Sequence, residues 1–245
     1  MLEAVIADGG NRSIAAIARA IDMPVSTAHR QVATLVAQGY LATARGGHHI
    51  AGPRLISLLH LLDEKQIITN VAAPLLDQLA TELRTVVQLG TFESDMVTYR
   101  IKTGEGSAGL FTKVGMQLEA YCSGIGKVLL AHLPQAQVDG YLAGGPFPAL
   151  TPHTIIDPVG LLHELEKVRT QGFALDAEEI AEGMFCIAAP ICSSEGQVPA
   201  AISATFINST AKHAVRALPR LFAVARAVES AAYGVENCRV DEDLR

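Results

Sequence analysis

Residues 24–41 read PVSTAHRQVATLVAQGYL. Pro24 sits where a first-turn proline belongs, and Gly39 follows Gln38 where a helix of this length ends. At 100° per residue, Val25, Ala28, Val32, Leu35 and Val36 fall on one side. Arg30 lies almost opposite them, flanked by Ser26, Thr27 and Thr34, with His29 and Gln31 at the edges. Such short hydroxyls, an amide and one guanidinium suit phosphate oxygens and base edges. A merely solvated helix face is the competing reading. Solvated faces usually carry Glu and Lys, and this one carries neither.

The neighbours of this helix give it a context. Ser13 caps an earlier helix predicted to about Ile21, with Ile14, Ile17, Ala18 and Ile21 at i, i+3, i+4 and i+7. Asp22-Met23 leaves only a short turn between the two. Two helices across a tight turn, the second with a polar outer face, make a helix-turn-helix. Tyr40-Leu41, a turn at Gly46-Gly47 and His48–Ala51 then predict a small hairpin, a wing with Arg45, His48 and His49 near its tip. Residues 1–62 hold five arginines and three acids, a net +2, while residues 63–245 hold 14 basic and 22 acidic residues, a net −8. A mildly basic head on an acidic body points to two domains with different partners.

The whole chain of 245 residues suits one large or two modest domains. Its 49% hydrophobic content supports a sizeable core, and 18% charged residues is too many for a membrane protein and too few for a disordered one. No apolar run reaches the length of a membrane span. MLEAVIADGG has neither a basic segment nor a long apolar one, so it does not read as an export signal. The four cysteines, Cys122, Cys186, Cys192 and Cys238, form no CxxC pair and are expected as reduced thiols in a cytoplasm.

Pro53 opens a long helical region, apolar at 55, 56, 59 and 62, and a following helix keeps Val71, Leu75, Leu76, Leu79 and Leu83 in step. Pro74 is expected to kink or restart it. The domain boundary is placed within this helix, giving domains 1–62 and 63–245. After Arg84 the period becomes two: VVQLGTF and MVTYRIK flank ESD, a hairpin signal. Two helices are expected over about 124–142 and another over about 158–171, capped by Asp157. CIAAPIC and PAAISATF read as strands, and a terminal helix covers about 210–232. The fold class is α+β with a largely antiparallel sheet.

Four features of the body could carry chemistry. Ser123-Gly124-Ile125-Gly126-Lys127 opens a helix, exposing N–H groups that suit a carboxylate; helix capping and close packing are the plainer reading. A nucleotide-binding P-loop fails, because the earlier glycine is missing and Val128 stands in place of Ser or Thr. Asp176-Ala177-Glu178-Glu179 could supply an acid/base pair or metal ligands, although most such runs are solvated. No HxH, HxxxH or Cys/His set accompanies it, so no metal site is expected. Cys186 lacks any base selected by spacing and reads as a small buried thiol. Ser203 and Thr205 share one face of their strand, towards either a polar cavity or water.

SIAAIARAIDMPVSTAHRQVATLVAQGYL resembles the winged helix-turn-helix of the IclR family of bacterial transcriptional regulators. HHIAGPRL stands where the family wing runs into a Tyr-x-Leu-Gly-Pro-x-Leu stretch, with His49 and Ala51 departing from it. YCSGIGKVLLAHLP resembles the family's glycine–lysine helix start, and TPHTIIDPVGLLHELEKVRTQGFALD matches its connecting segment. DAEEIAEGMFCIAAPICSSEGQVPAAISATF resembles its signature near the C-terminus. The resemblance covers nearly the whole chain. It implies an N-terminal winged helix joined by a helical linker to a GAF-like ligand-binding domain, and dimers or tetramers that regulate catabolic genes in response to small metabolites. It also implies an effector pocket at Gly124, Ile125, Asp176, Cys186, Ser203 and Thr205, with Leu110 and Phe111 as an apolar wall.

The expected function is therefore a ligand-responsive regulator. Its partners are operator DNA, read through Ser26, Thr27, His29, Arg30, Gln31 and Arg45, a small organic acid, and further copies of itself. No cofactor and no catalysis are expected. As a charged carboxylate, Asp176 would accept a hydrogen bond from a hydroxyl or amine of the ligand, or bond a backbone group that shapes the pocket, because like charges repel. The rival is a cytoplasmic small-molecule enzyme with an N-terminal helical dimerisation module, favoured by the scattered Cys, His and carboxylates and opposed by the lack of any ordered triad. A third reading is a winged helix that binds protein instead of DNA.

Overall fold

The structure, a computed structural model, describes residues 1–106 and 109–234; Cys238 lies outside them. The chain divides into two compact units, Met1–Asp63 and Glu64–Arg245.

The first unit runs α1 (Leu2–Asp8), α2 (Ile14–Ala20), α3 (Val25–Ala37), β1 (Leu41–Thr43), β2 (His49–Ala51) and α4 (Pro53–Leu59). Ser13 caps α2 by accepting the Ala16 N–H. Pro24 is the N-cap of α3 and not its first-turn residue: its ψ of 129° is extended, and its carbonyl accepts the Ala28 N–H at 3.0 Å. Val5, Ile17, Val32 and Leu41 form the core, one from each of α1, α2, α3 and β1. Val25 is expected on the buried side but is 38% exposed; it starts the helix, ahead of the level at which Val32 enters the core. β1 and β2 pair antiparallel across a 3-10 turn at Arg45–Gly47, with Thr43 opposite His49. The hairpin closes at its base where a Cβ on Gly52 would lie 2.3 Å from the Gly39 carbonyl oxygen, so only glycine fits there.

The helix opened by Pro53 is shorter than its apolar pattern predicts. Leu61 N–H bonds Leu58 and Leu62 N–H bonds Leu59, both i→i+3. That tighter winding ends α4, and a separate helix α5 (Glu64–Leu83) follows. Residues 60–63 are thus an interruption between helices, not part of one continuous helix. Pro74 neither breaks nor restarts α5. Ile68 and Ala72 before it and Leu76 and Leu79 after it are buried in one cluster.

The second unit continues with β3 (Val86–Glu93), β4 (Met96–Thr103), β5 (Gln117–Glu119), α6 (Gly124–Ala131), α7 (Gln135–Leu142), α8 (Pro158–Gln171), β6 (Ala174–Ala177), β7 (Met184–Ile191), β8 (Ala200–Ile207), α9 (Ala211–Val215) and α10 (Leu218–Tyr233). The expected terminal helix is two helices, with Pro219 in the first turn of α10. The strands form one antiparallel sheet in the order β5-β4-β3-β8-β7-β6.

Period two divides this sheet between two cores. Val87, Leu89, Ile187, Ala189, Ile202 and Ala204 pack against α5 and α10. Ala188 and Ala201 face Ile125, Val128 and Leu129 of α6 and Leu161 and Leu165 of α8. A bulge in β4 sends Tyr99 and Ile101 to opposite cores, because Leu89 pairs with Ile101 and Gly90 with Tyr99. Each fully buried Leu or Ile contributes about 1.5–3 kcal/mol, so both faces are fixed and the register cannot slip. The register puts Ser203 and Thr205 on the α6 side.

Candidate functional site

The first candidate surface is the outer face of α3. Ala28 and Val32 are buried beneath it, while Ser26, His29, Arg30 and Gln31 are exposed and Thr27 is half-buried. Thr34 turns back and donates its hydroxyl to the Arg30 carbonyl at 3.1 Å. Arg45 is exposed in the wing turn. His49 belongs to β2, so of the two histidines only His48 borders the turn. The unit's acidic residues do not crowd this face through Asp8, which is 7% exposed and ion-paired to Arg12 at 2.5 Å.

The second candidate is built on the α6 face of the sheet. Asp176, Cys186 and Thr205 stand side by side in register across β6, β7 and β8. One step along, Ala188 pairs with Ser203, and Ser203 pairs with Gln88 of β3. Cys186 Sγ and Thr205 Oγ1 lie 3.3 Å apart. The start of α6 presses on this row: a Cβ on Gly124 would meet Ala188 Cβ at 3.3 Å and the Cys186 carbonyl oxygen at 3.5 Å. Ser123 caps the helix by accepting the Gly126 N–H at 3.0 Å. The N–H groups of Gly124 and Ile125 then remain as the unpaired donors of the first turn.

Leu110 joins Val86, Met184 and Cys186 in a small buried cluster beside the row. Its loop is tied down by the Lys102 ammonium, which donates to the Leu110 carbonyl at 2.9 Å and also to the Thr112 carbonyl. Phe111 is not drawn in and stays 47% exposed. Thus Gly124, Ile125, Asp176, Cys186, Ser203, Thr205 and Leu110 are gathered, and Phe111 is not.

The run at 176–179 is not solvated as a whole. Glu178 turns outward with φ 65° and accepts the Gly183 N–H at 2.7 Å. Glu179 and Asp176 turn inward and are 5% and 0% exposed. Asp176 Oδ1 accepts the Glu179 N–H at 2.8 Å, while Oδ2 has no hydrogen-bond partner. Burial first, and then repulsion by Glu179, pushes the Asp176 carboxyl up to about 7. Burial likewise drives the Cys186 thiol well above its ordinary value, so it stays neutral and is no ready nucleophile.

Two features escape the sequence reading. Lys127, placed by the sequence only in the glycine–lysine helix start, is fully buried and ties α6 to α8 and β6. Its ammonium meets Glu179 Oε1 at 2.5 Å, Glu164 Oε1 at 3.2 Å and the Leu175 carbonyl at 2.7 Å. Burial alone would lower its pKa, but the two glutamates outweigh burial and hold it charged. Gln88 is the second: 4% exposed, it donates to Thr112 Oγ1 at 2.9 Å beside Ser203. A lone amide inside the apolar strand VVQLGTF was the signal. Among the described residues no group of three or more His, Cys, Asp or Glu side chains could hold a metal ion, and no helix is long and apolar enough to cross a membrane. Cys122 and Cys186 are buried free thiols, and Cys192 is buried as well.

Comparison with known proteins places both units. The family described as "IclR helix-turn-helix domain" matches residues 1–45, and "Bacterial transcriptional regulator IclR C-terminal" matches residues 60–230. The chain is 31% identical to the Pca regulon regulatory protein of Pseudomonas putida, over 87% of this chain and 75% of that one. It is 29% identical to the HTH-type transcriptional regulator XynR of Escherichia coli, over 79% and 77%. Among solved structures, the repressor BlcR of Agobacterium tumefaciens superposes with a TM-score of 0.71 at 25% identity, over 94% of this chain and 93% of that one. An IclR homologue of Microbacterium hydrocarbonoxydans, complexed with 4-hydroxybenzoate, superposes with a TM-score of 0.63 at 26% identity, over 95% and 99%. With a DNA-reading head, a polar row gathered on the second unit's sheet and both halves matched, the chain belongs to the IclR family of ligand-responsive, DNA-binding transcriptional regulators.

Proposed function

We propose that this regulator senses a small organic acid at the α6 face of its second unit. The observation that carries this reading is the convergence, on one buried row, of two unpaired helix-start N–H groups with the side chains of Cys186, Ser203 and Thr205. The Gly124 and Ile125 N–H groups hold the carboxylate, since a helix start favours an anion. Ser203 and Thr205 donate further hydrogen bonds. Gln88 offers its amide beside Ser203, and Leu110 with Val86 and Met184 covers the ligand's carbon skeleton. That a homologue is complexed with 4-hydroxybenzoate, a carboxylic acid, supports the class.

On DNA, Arg30 reads a base edge or phosphate from the middle of α3, Ser26, Thr27, His29 and Gln31 contact the backbone and neighbouring bases, and Arg45 reaches from the wing. One such head covers a single half-site, so the active form is at least a dimer. The chain's own apolar surface supports this: Ile56, Leu59, Leu61 and Leu62 are 62%, 67%, 79% and 59% exposed in one short stretch. The protein acts in the cytoplasm and catalyses no reaction.

The test is a thermal-shift panel of small keto, hydroxy and aromatic carboxylic acids, followed by operator binding with each acid that raises the melting temperature. A stabilising acid that also changes operator affinity supports the proposal. Turnover of that acid by the purified protein would contradict it, and so would stabilisation undiminished in Ser203→Ala.

A further inference from the structure

Asp176 in the second unit is fully buried with one oxygen, Oδ2, unpartnered. Its surroundings are set by four elements. Lys127 comes from α6, Glu179 from the loop after β6, Cys186 from β7 and Tyr99 from β4; Cys122 precedes α6. Cys122, Cys186 and Tyr99 are held neutral by burial, each with its pKa raised. The charges that remain are one ammonium against the carboxyls of Asp176, Glu179 and Glu164.

The ammonium is already committed. Glu179 Oε1 holds it at 2.5 Å and Glu164 Oε1 at 3.2 Å. Glu179 also has a partnerless oxygen, Oε2, but its other oxygen carries the ion pair. Asp176 receives one backbone N–H on Oδ1 and no cation on either oxygen. With two buried carboxyls and one cation already shared, one carboxyl must carry a proton, since an uncompensated buried charge is strongly unfavourable. The pairing leaves that proton to Asp176. Carrying it turns Oδ2, beside the neutral Cys186 thiol, into a donor. Cys186 and Thr205 lie in register beside Asp176, and Gly124 approaches Cys186.

We propose that Asp176 is a specificity-determining residue that enters the effector site as a neutral carboxylic acid and donates its Oδ2–H to an oxygen of the bound ligand. This rests on the organic-acid reading above. It reverses one of the two roles expected from the sequence, a charged Asp176 accepting a hydrogen bond from the ligand; the other, bonding a backbone group, is met by the Glu179 N–H on Oδ1. A neutral Asp176 removes the repulsion that a second carboxylate would otherwise meet, so the site takes an anion with no cation aimed at it. The proton stays on the protein, and no bond forms or breaks. Carboxylate affinity then falls by about tenfold per pH unit above the point at which Asp176 ionises.

Infrared spectroscopy of the ligand-free, full-length protein at pH 6 reads the proton directly, through the carbonyl stretch of a protonated carboxyl. The expected result is a band lost in Asp176→Asn, kept in Glu179→Gln, and lost in wild type as the pH is raised. Aspartate labelled with carbon-13 at its carboxyl must shift the band in wild-type protein, which assigns it even if a variant fails to fold. A wild-type protein without the band, a band lost only in Glu179→Gln, or one that the label leaves in place would overturn the proposal. Because no ligand is present, these outcomes leave the organic-acid reading standing, and that reading fails separately in the thermal-shift panel.

Discussion

The polar face of α3 and the polar row beneath α6 are made from similar residue types and do opposite things. On α3, Ser26, His29, Arg30 and Gln31 stand in water over a buried Ala28 and Val32. Nothing in their own unit asks for them. On the sheet, Asp176, Ser203 and Thr205 are at most 3% exposed and sit where apolar residues would pack as well. An exposed polar face costs a fold almost nothing and reads as a contact surface by its composition. A buried polar row costs desolvation for every group in it. It is retained only if hydrogen bonds or a ligand compensate, so the two regions should respond differently to mutation.

The largest difference should appear at Lys127. Lys127→Ala leaves Glu179 buried without its cation, and breaking a buried pair in this way costs about 3–5 kcal/mol. Thermal denaturation should show the second unit melting far lower, with operator binding weakened only as a consequence. No substitution on the outer face of α3 should come near this. Unchanged melting in Lys127→Ala would mean that the buried row is not held by its charges.

Next comes pH. The folded Asp176 carboxyl is raised to about 7 from an ordinary 3.8, so the folded protein binds the extra proton between those values. Its contribution to stability is full below about pH 4 and is lost as pH rises to about 7, by up to about 1.4 kcal/mol per pH unit. Asp176→Asn mimics the neutral acid and should remove that slope. Calorimetry of both proteins across pH 4 to 8 checks it, and parallel slopes would count against a buried Asp176.

Smaller effects belong to single contacts. Arg30→Ala should weaken operator binding by about 1–3 kcal/mol and relax specificity at one base pair, while the melting temperature stays put. Ser203→Ala should weaken effector binding by about 1 kcal/mol, the worth of one hydrogen bond, and leave ligand-free operator binding as it was. The first is measured by fluorescence anisotropy across salt concentrations and the second by isothermal titration with the acid found in the thermal-shift panel.

The same contrast explains what the sequence could reveal. A face like that of α3 is local: one short helix and a 3.6 period place Arg30 opposite Val32, and no other part of the chain is needed. The hairpin 86–103 and the helix at 158–171 were legible for the same reason, since the turn at Ser94-Asp95 and the Asp157 cap lie within a few residues. The buried row is not local. Asp176, Cys186 and Thr205 meet because three strands align in register, and periodicity alone left Ser203 and Thr205 facing either a cavity or water. Motif resemblance supplied what periodicity could not. It did not say that Lys127 is a buried strut, that Gln88 lies in the row, or that Phe111 stays outside. The helix break at 60–63 was missed because its residues keep an apolar helical pattern, and only the i→i+3 bonds reveal the stop.

A ligand-responsive regulator must couple its two polar surfaces, the one proposed for DNA and the one proposed for an acid. That coupling is tested most directly by operator affinity with and without saturating acid, measured by fluorescence anisotropy in wild type, Arg30→Ala and Ser203→Ala. Arg30→Ala should bind operator weakly in both conditions while still binding the acid. Ser203→Ala should bind operator as wild type does without acid and need more acid for the same change in affinity. Operator affinity unaffected by Arg30→Ala, together with an acid response unaffected by Ser203→Ala, would contradict it.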